Sequence, residues 1–365
     1  MLALHYKTIK KALIPPISAG KEFKRIPMST NTYNTITITK SQDKLETPKF
    51  YESLQKLHNK NKKALGQVAI SNEEHEKAQR IMNCTDFLTY ELINQEFLRL
   101  KRINLCRERL CLNCQLVNSR NLIKQLFWTV PRLKVPQESS LEFVTLTTQN
   151  CEAKYLKDTI QRLSQRQVAF FRHYKIKDYF RSVEITYNEK TQKYHPHLHI
   201  IAIINKNSGF PFYEPHKGKE GANKLQSAWY QWYGVPNEHG YNMATSYPVR
   251  NTKSIFELCK YISKVENLEK KEVLTVLDKQ LKGLRLKTPA GQFKTLAKGY
   301  KNECATLKLQ ELKELEEAEI CLINLLYNKK TKEYEIKSIS EADLHYRPSK
   351  FWHERRIAEE GVLKC

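Results

Sequence analysis

The alternation of polar and apolar positions is clearest between residues 181 and 204. In "RSVEITY", residues 181–187, Val183, Ile185 and Tyr187 fall on one side, while Ser182, Glu184 and Thr186 fall on the other. That period of two is the mark of a half-buried strand. A polar stretch, "NEKTQK", leads into "KYHPHLHIIAII", residues 193–204, which sets His195, His197 and His199 on one face before turning continuously aliphatic. The two runs predict an antiparallel hairpin whose second strand enters a core. Upstream, "LEFVTLTT", residues 141–148, has the β-branched and aromatic content of a buried strand. "KYLKDTIQRLSQRQVAFFRHYKI" repeats apolar residues at Leu156, Ile160, Leu163, Val168 and Phe171, as a helix does. A strand, a helix and a hairpin in that order predict an α+β domain built on an antiparallel sheet.

The pattern weakens on either side. "SGFPFYEPHKGKEG" predicts a loop, and "ANKLQSAWYQWYG" a helix ended by Gly234. "NTKSIFELCKYISKVENLEKKEVLTVLDKQLKGL" predicts further helix, with Asn251, Thr252 or Ser254 as its cap. "KLQELKELEEAEICLINLLY" predicts another helix, and "YNKKTKEYEIKSIS" a hairpin. These readings divide the chain into a basic, loosely ordered extension over 1–80 with one helix near "TPKFYESLQKLHNKNKKAL", a cysteine-bearing segment over 81–125 with helices on either side of "CRERLCLNC", the α+β domain over 126–300, and a helix and hairpin over 301–365.

Composition narrows the partners. No stretch of the 365 residues approaches the roughly 18 consecutive apolar residues that cross a bilayer, so no membrane partner is expected. "MLALHYKTIKKALIPP" reads as neither signal peptide nor anchor, which gives a cytoplasmic expectation. The 62 Lys and Arg against 39 Asp and Glu leave a formal charge of +23, an excess that attracts polyanions because neutralised phosphates release counterions. Nucleic acid is the expected partner.

Three groups of residues carry candidate chemistry. The first is the histidine strand. In the register that sets Tyr187 opposite Tyr194, Glu184 lies across from His197 and Ser182 across from His199. A slip of one residue would bury the carboxylate and expose the valine. Two imidazoles and one carboxylate with open positions suit a divalent ion that also accepts substrate oxygens: zinc is chemically admissible, and Mg²⁺ or Mn²⁺ is preferred for a phosphodiester. His195 faces the same way as a supporting residue. The second group is "SIFELCKYISKVENL". On a helix, Glu257, Lys260, Tyr261 and Lys264 share one face, so Tyr261 neighbours Glu257 and Lys264. That pattern is equally the surface ion-pair network of an ordinary helix. Read as a nucleophile, the phenol needs positive charge nearby, which Lys264 and the histidine-bound ion would supply. The third group is Cys106, Cys111 and Cys114, with Cys84 as a fourth thiolate: a structural zinc signal, set against the alternative of buried thiols. Cys151, Cys321 and Cys365 read as scattered thiols.

These motifs resemble a known family. "YHPHLHII" is similar to the histidine motif of HUH endonucleases, and "ELCKYISK" to the tyrosine motif of plasmid rolling-circle replication initiators within that superfamily. "LEFVTLTT", "RSVEITYN" and "LKGLRLKTPAGQFK" extend the likeness across roughly residues 81–300. The resemblance implies an HUH domain over 126–300 that nicks origin DNA, single-stranded or extruded as a hairpin. Tyr261 would attack a phosphodiester to leave a 5′-phosphotyrosine and a 3′-hydroxyl primer. His197 and His199 would hold the metal with Glu184 as third ligand, and Glu257 would activate water at termination. Val265 stands four residues after Tyr261, so a two-tyrosine mechanism is disfavoured. The family carries a cysteine cluster where Cys106 to Cys114 lie, but "QLVNSR" replaces its Trp-Arg-Arg. A host helicase and polymerase become expected partners, and a dimer is compatible. The rivals are an HUH transposase or relaxase, and a non-catalytic zinc-containing nucleic-acid binder.

Overall fold

A computed structural model describes residues 49–93, 97–212, 224–234, 243–314, 320–331 and 333–341. The chain divides into two units. The larger holds every residue of the three candidate groups. Its centre is a five-stranded antiparallel sheet formed by β3 (Ser139–Thr147), β4 (Tyr179–Asn188), β5 (Lys193–Asn205), β6 (Ala244–Pro248) and β7 (Lys287–Ala290), in the order β6-β3-β5-β4-β7. The α+β expectation holds, and the histidine strand is the middle strand of the sheet.

The register follows the polar–apolar alternation. Tyr187 pairs with Tyr194, Glu184 with His197 and Ser182 with His199. On β3, Thr145 stands opposite His199 and Thr147 opposite His197. One sheet face is therefore apolar along its length: Val144, Leu146, Val183, Ile185, Leu198, Ile200 and Ala202 are buried. They share a core with Leu156, Ile160, Leu163 and Phe171 of a helix over Leu156–His173, and with Leu225 and Trp229 of another over Lys224–Tyr233. Gly234, at φ 78°, ends the latter as expected.

The opposite face is divided. Phe180, Ile201 and, partly, Phe143 pack in a second core with Leu126, Ile255, Leu258, Cys259 and Phe293. Along the same strands, the next positions are Ser182, Glu184 and Thr186 on β4, His199, His197 and His195 on β5, and Thr145 and Thr147 on β3. Half this face is thus covered by helices, and the other half carries hydroxyls, imidazoles and a carboxylate.

Four expectations fail here, each because a long-range contact overrides local pattern. Residues 49–82 read as a loose extension with one helix; that helix is α1 (Lys49–Ser71), but a second, α2 (His75–Met82), follows it, and Leu65, Val68 and Ile81 are buried in the main core rather than loose; residues 1–48 lie outside the described residues. The segment before "CRERLCLNC", expected to be helical, is a hairpin of β1 (Phe87–Ile93) and β2 (Phe97–Ile103); the helix expected after it is α3 (Leu112–Thr129). "ICLINLLY", read as helix, is β8 (Ile320–Asn328), which pairs with β9 (Glu333–Glu341) in the expected hairpin. In the smaller unit those four strands form one sheet, in the order β2-β1-β8-β9. The long helix expected around Tyr261 stops at Leu258: α4 and α5 being the two sheet-covering helices, α6 is only Lys253–Leu258 and α7 resumes at Lys271–Gln280. A later helix, α8 (Gln292–Glu314), matches the first part of the expected one; residues 315–319 and 342–365 lie outside the described residues.

Candidate active site

The three histidines each have a hydroxyl or carboxylate partner drawn from the neighbouring strands. His199 Nε2 lies 2.7 Å from Glu184 Oε2, and its Nδ1 lies 3.4 Å from the Thr145 hydroxyl. His197 Nε2 is 3.3 Å from Thr186 Oγ1, and His195 Nε2 is 2.5 Å from Thr147 Oγ1. The His195 and His197 rings are 4.3 Å apart, whereas His197 and His199 stack at 6.2 Å. Phe143 stacks on His199 from the apolar half of the face, at 5.8 Å.

Electrostatics leave this cluster able to take a cation. Burial lowers the His197 pKa to about 4, with the neighbouring His195 and His199 acting in the same direction, so its imidazole is neutral at neutral pH. His195 is lowered too, chiefly by burial. Burial works to raise the Glu184 carboxyl, but the hydrogen bond and charge of His199, with Lys260 and His197, prevail and hold it below the ordinary carboxylate range. An ionised carboxylate beside the neutral His197 imidazole is donor chemistry that a divalent ion can use. The side chains are not gathered around a point, however. Among the described residues, the cysteines alone bring three or more such ligand atoms within 4.8 Å of one another.

The tyrosine segment reaches the edge of β4 by a route the helical reading did not give. α6 packs Ile255 and Leu258 with Phe180 and Ile201, on the same face as the histidines. Past Cys259 the backbone leaves the helix: the Ile262 N–H donates to Gln115 Oε1 at 2.9 Å, and the Ile262 carbonyl accepts from the Ile185 N–H of β4 at 2.8 Å. The backbone directly after Tyr261 is thereby held at the β4 edge, and the Tyr261 ring packs against the main core beneath the apolar face of the sheet. It is half-buried, and burial pushes its phenol up to about 12.

The shared helical face of Glu257, Tyr261 and Lys264 is replaced by a different grouping. Glu257, in the last turn of α6, pairs with Lys260 at 2.5 Å, and the Lys260 charge also acts on Glu184. Lys264 is exposed, and its carbonyl caps the turn to Asn267 and Leu268. Lys260 thus links the tyrosine segment electrostatically to Glu184 of β4. Sequence reading placed Thr186 on the polar face without giving it a role, and missed Thr145 and Thr147. Alternation along β3 and β4 places all three on the histidine face, and that signal was available in the register.

The cysteines form a second and tighter cluster. Cys84, Cys106, Cys111 and Cys114 are all buried, with sulfur separations of 3.7 Å for Cys84 to Cys114, 3.5 Å for Cys106 to Cys114 and 3.7 Å for Cys84 to Cys111. Four sulfurs at the corners of a tetrahedron about 2.3 Å from a zinc ion are separated by about 3.8 Å, so the residues fit that metal. Hydrogen bonds from the other three hold the Cys111 thiol well below its ordinary pKa. Cys84 joins because the hairpin closes: Thr85 N–H donates to Asn104 O, and Asn104 N–H to Phe87 O, which returns the chain beside its start. Thr85 and Arg107, directly after Cys84 and Cys106, take φ of 64° and 61°. For a β-branched threonine this is strained, and Asn113 Nδ2 supports it by donating to Thr85 Oγ1 at 2.8 Å.

The polar half-face carries imidazoles and a carboxylate, and the tyrosine segment meets the same sheet at the β4 edge, in a strongly basic chain. Comparison with known proteins finds replication proteins. Residues 97–214 match the model of a family described as replication protein, a span that includes Cys106 to Cys114 and the histidine strand but ends before Tyr261. Protein rep of Streptococcus pneumoniae serotype 2 is 31% identical over 34% of this chain and 41% of its own length. Protein rep of Staphylococcus aureus is 25% identical over 50% of this chain and 80% of its own, and one from a Bacillus species is 27% identical over 36% and 44%. Over these spans the chain is similar to replication proteins. It spans about two fifths of the length of the Streptococcus and Bacillus relatives and four fifths of the Staphylococcus one. No solved structure matches it. Among the described residues no helix is long and apolar enough to cross a membrane.

Proposed function

We propose that the protein initiates plasmid rolling-circle replication as an HUH-type nicking and joining enzyme with Tyr261 as nucleophile. The observation that supports the reading is the meeting of two distant motifs at β4: Glu184 is bonded to His199, and the Ile262 carbonyl, one residue after Tyr261, accepts from the Ile185 N–H next to that carboxylate in sequence. The relatives named replication protein and Protein rep support the biological setting.

His197, His199 and Glu184 would hold Mg²⁺ or Mn²⁺, which when bound polarises the scissile phosphate. The Tyr261 oxygen forms a bond to phosphorus while the bond to the 3′ oxygen breaks, giving a 5′-phosphotyrosine and a 3′-hydroxyl that primes synthesis. The phenol loses a proton and the departing oxygen gains one. Since burial holds the phenol at about 12, deprotonation must be assisted as the bond forms. Thr186 and Thr145 orient the rings of His197 and His199. Glu257, held by Lys260, activates water for terminating cleavage. Cys84, Cys106, Cys111 and Cys114 bind structural Zn²⁺. The DNA is a plasmid origin in single-stranded or extruded form, attracted by the +23 charge, and a cytoplasmic host helicase and polymerase act downstream.

The test is nicking of a supercoiled plasmid carrying the origin, with Mn²⁺ or Mg²⁺. Wild type should yield open circles with protein covalently attached to the 5′ end, and Tyr261→Phe should yield none. A 5′ adduct formed by Tyr261→Phe would refute the nucleophile assignment. Glu257→Ala should nick normally but fail to terminate.

A further inference from the structure

The cysteine cluster and the tyrosine segment are joined by one side chain. Gln115 follows Cys114 directly, in the first turn of α3, and its own N–H bonds to the Cys111 carbonyl at 2.9 Å. It is 7% exposed. Its Oε1 accepts the Ile262 N–H at 2.9 Å, while its Nε2 has no partner among the described atoms. A buried amide with one end unsatisfied is a poor way to fill a core, so the acceptor end is the part that matters. The Ile262 peptide is consequently gripped on both sides, by Gln115 at its N–H and by Ile185 of β4 at its carbonyl.

A second bridge lies alongside. Asn61 of α1 donates through Nδ2 to Leu110 O at 3.2 Å, inside the cysteine loop, and to Leu268 O at 2.5 Å, just beyond the tyrosine segment; its Oδ1 accepts from Leu112 N–H at 3.0 Å. Ile262 and Leu268 also share the apolar core that contains all four cysteines. The segment carrying Tyr261 has no regular secondary structure of its own between Leu258 and Asn267. Its geometry must come from what holds it.

We infer that Gln115 is a positioning residue for Tyr261, transmitting the fixed geometry of the four-cysteine cluster to the nucleophile through the Ile262 peptide. The inference rests on Tyr261 being the nucleophile. With the four sulfurs fixed, Cys111 and Cys114 fix the first turn of α3, that turn aims the Gln115 amide, and the amide sets the backbone one residue after Tyr261. Gln115 is bonded to the Ile262 backbone and the Cys111 carbonyl, so it acts through the backbone that carries Tyr261. Its contribution is the placement of the phenol, and a displacement of about 1 Å at a reacting group can cost on the order of 100-fold in rate.

Two variants separate placement from folding. Gln115→Leu keeps the shape and removes the acceptor, whereas Gln115→Glu keeps an acceptor oxygen at the same reach. Both are compared with wild type for bound zinc by native mass spectrometry, affinity for a single-stranded oligonucleotide carrying the nick site, single-turnover adduct formation, and amide exchange over residues 259–265. Gln115→Leu should retain zinc and oligonucleotide affinity, exchange faster at Ile262, and form adduct about 10- to 100-fold more slowly. Gln115→Glu should recover to within a few-fold of wild type. A wild-type adduct rate in Gln115→Leu overturns the inference, as does loss of zinc with activity, or equal impairment of both variants. Adduct formation by Tyr261→Phe would instead defeat the nucleophile reading, and the exchange at Ile262 would still report whether Gln115 holds the segment.

Discussion

The cysteine cluster and the histidine strand both gather soft or borderline metal donors, and they differ in how finished they are. The four sulfurs are buried and already stand at tetrahedral spacing, supported by strained turns at Thr85 and Arg107. The histidines are half-buried, fan out along β5, and satisfy their ring nitrogens on Thr147, Thr186, Thr145 and Glu184. A site whose purpose is to hold the fold closes around its metal, while a site that must also admit substrate oxygens keeps positions open. The contrast between a closed and an open site is what separates the proposed structural role from the proposed catalytic one, more than the identity of the ligands does.

Removing a sulfur should have the largest effect. Cys111→Ser takes away the thiol most favoured to ionise and leaves three buried cysteines with an incomplete site. Zinc binding of this kind supplies about 10–16 kcal/mol in small peptides, comparable with the whole stability of a domain at about 5–15 kcal/mol. The variant should lose its cooperative thermal transition, seen by calorimetry. At the histidine strand the same operation should spare the fold: His197→Ala should melt within a few degrees of wild type yet nick at least about 100-fold more slowly, since even residues that merely orient a ligand cost 10–100-fold. A large fall in melting temperature there would erase the distinction.

Smaller changes sharpen it. Thr186→Val removes the hydroxyl beside His197 and should lower metal affinity in a Mn²⁺ titration of nicking by roughly 10-fold, with unchanged zinc content. The pH profile should show the least. Because Tyr261 is held at about 12, its phenolate fraction grows with pH, by up to about tenfold per unit across pH 7 to 9, and single-turnover adduct formation should climb in the same direction. A flat profile would mean that proton removal does not limit the step.

Much of this was legible in the sequence, for a physical reason. Glu184 and His197 could be paired in advance by setting Tyr187 opposite Tyr194, since a slip of one residue would bury the carboxylate and expose Val183. The cysteines were legible through spacing, and their burial is what spacing cannot give. The tyrosine segment was not legible. "SIFELCKYISKVENL" contains no glycine or proline, and the helix stops because Gln115 and Ile185, distant in sequence, capture the Ile262 peptide. The same holds for "ICLINLLY", whose strand is decided by pairing with β1 and β9. Local pattern thus fixed the half of the site that sits on consecutive strands and missed the half delivered by tertiary contact.

The account is tested most directly by dialysing the purified protein against EDTA, then measuring zinc by native mass spectrometry and origin nicking on the same sample. One zinc ion should remain bound, nicking should be lost, and Mn²⁺ or Mg²⁺ alone should restore it. Nicking that persists in EDTA, or that returns only when zinc is added, would contradict the division into one closed and one open site.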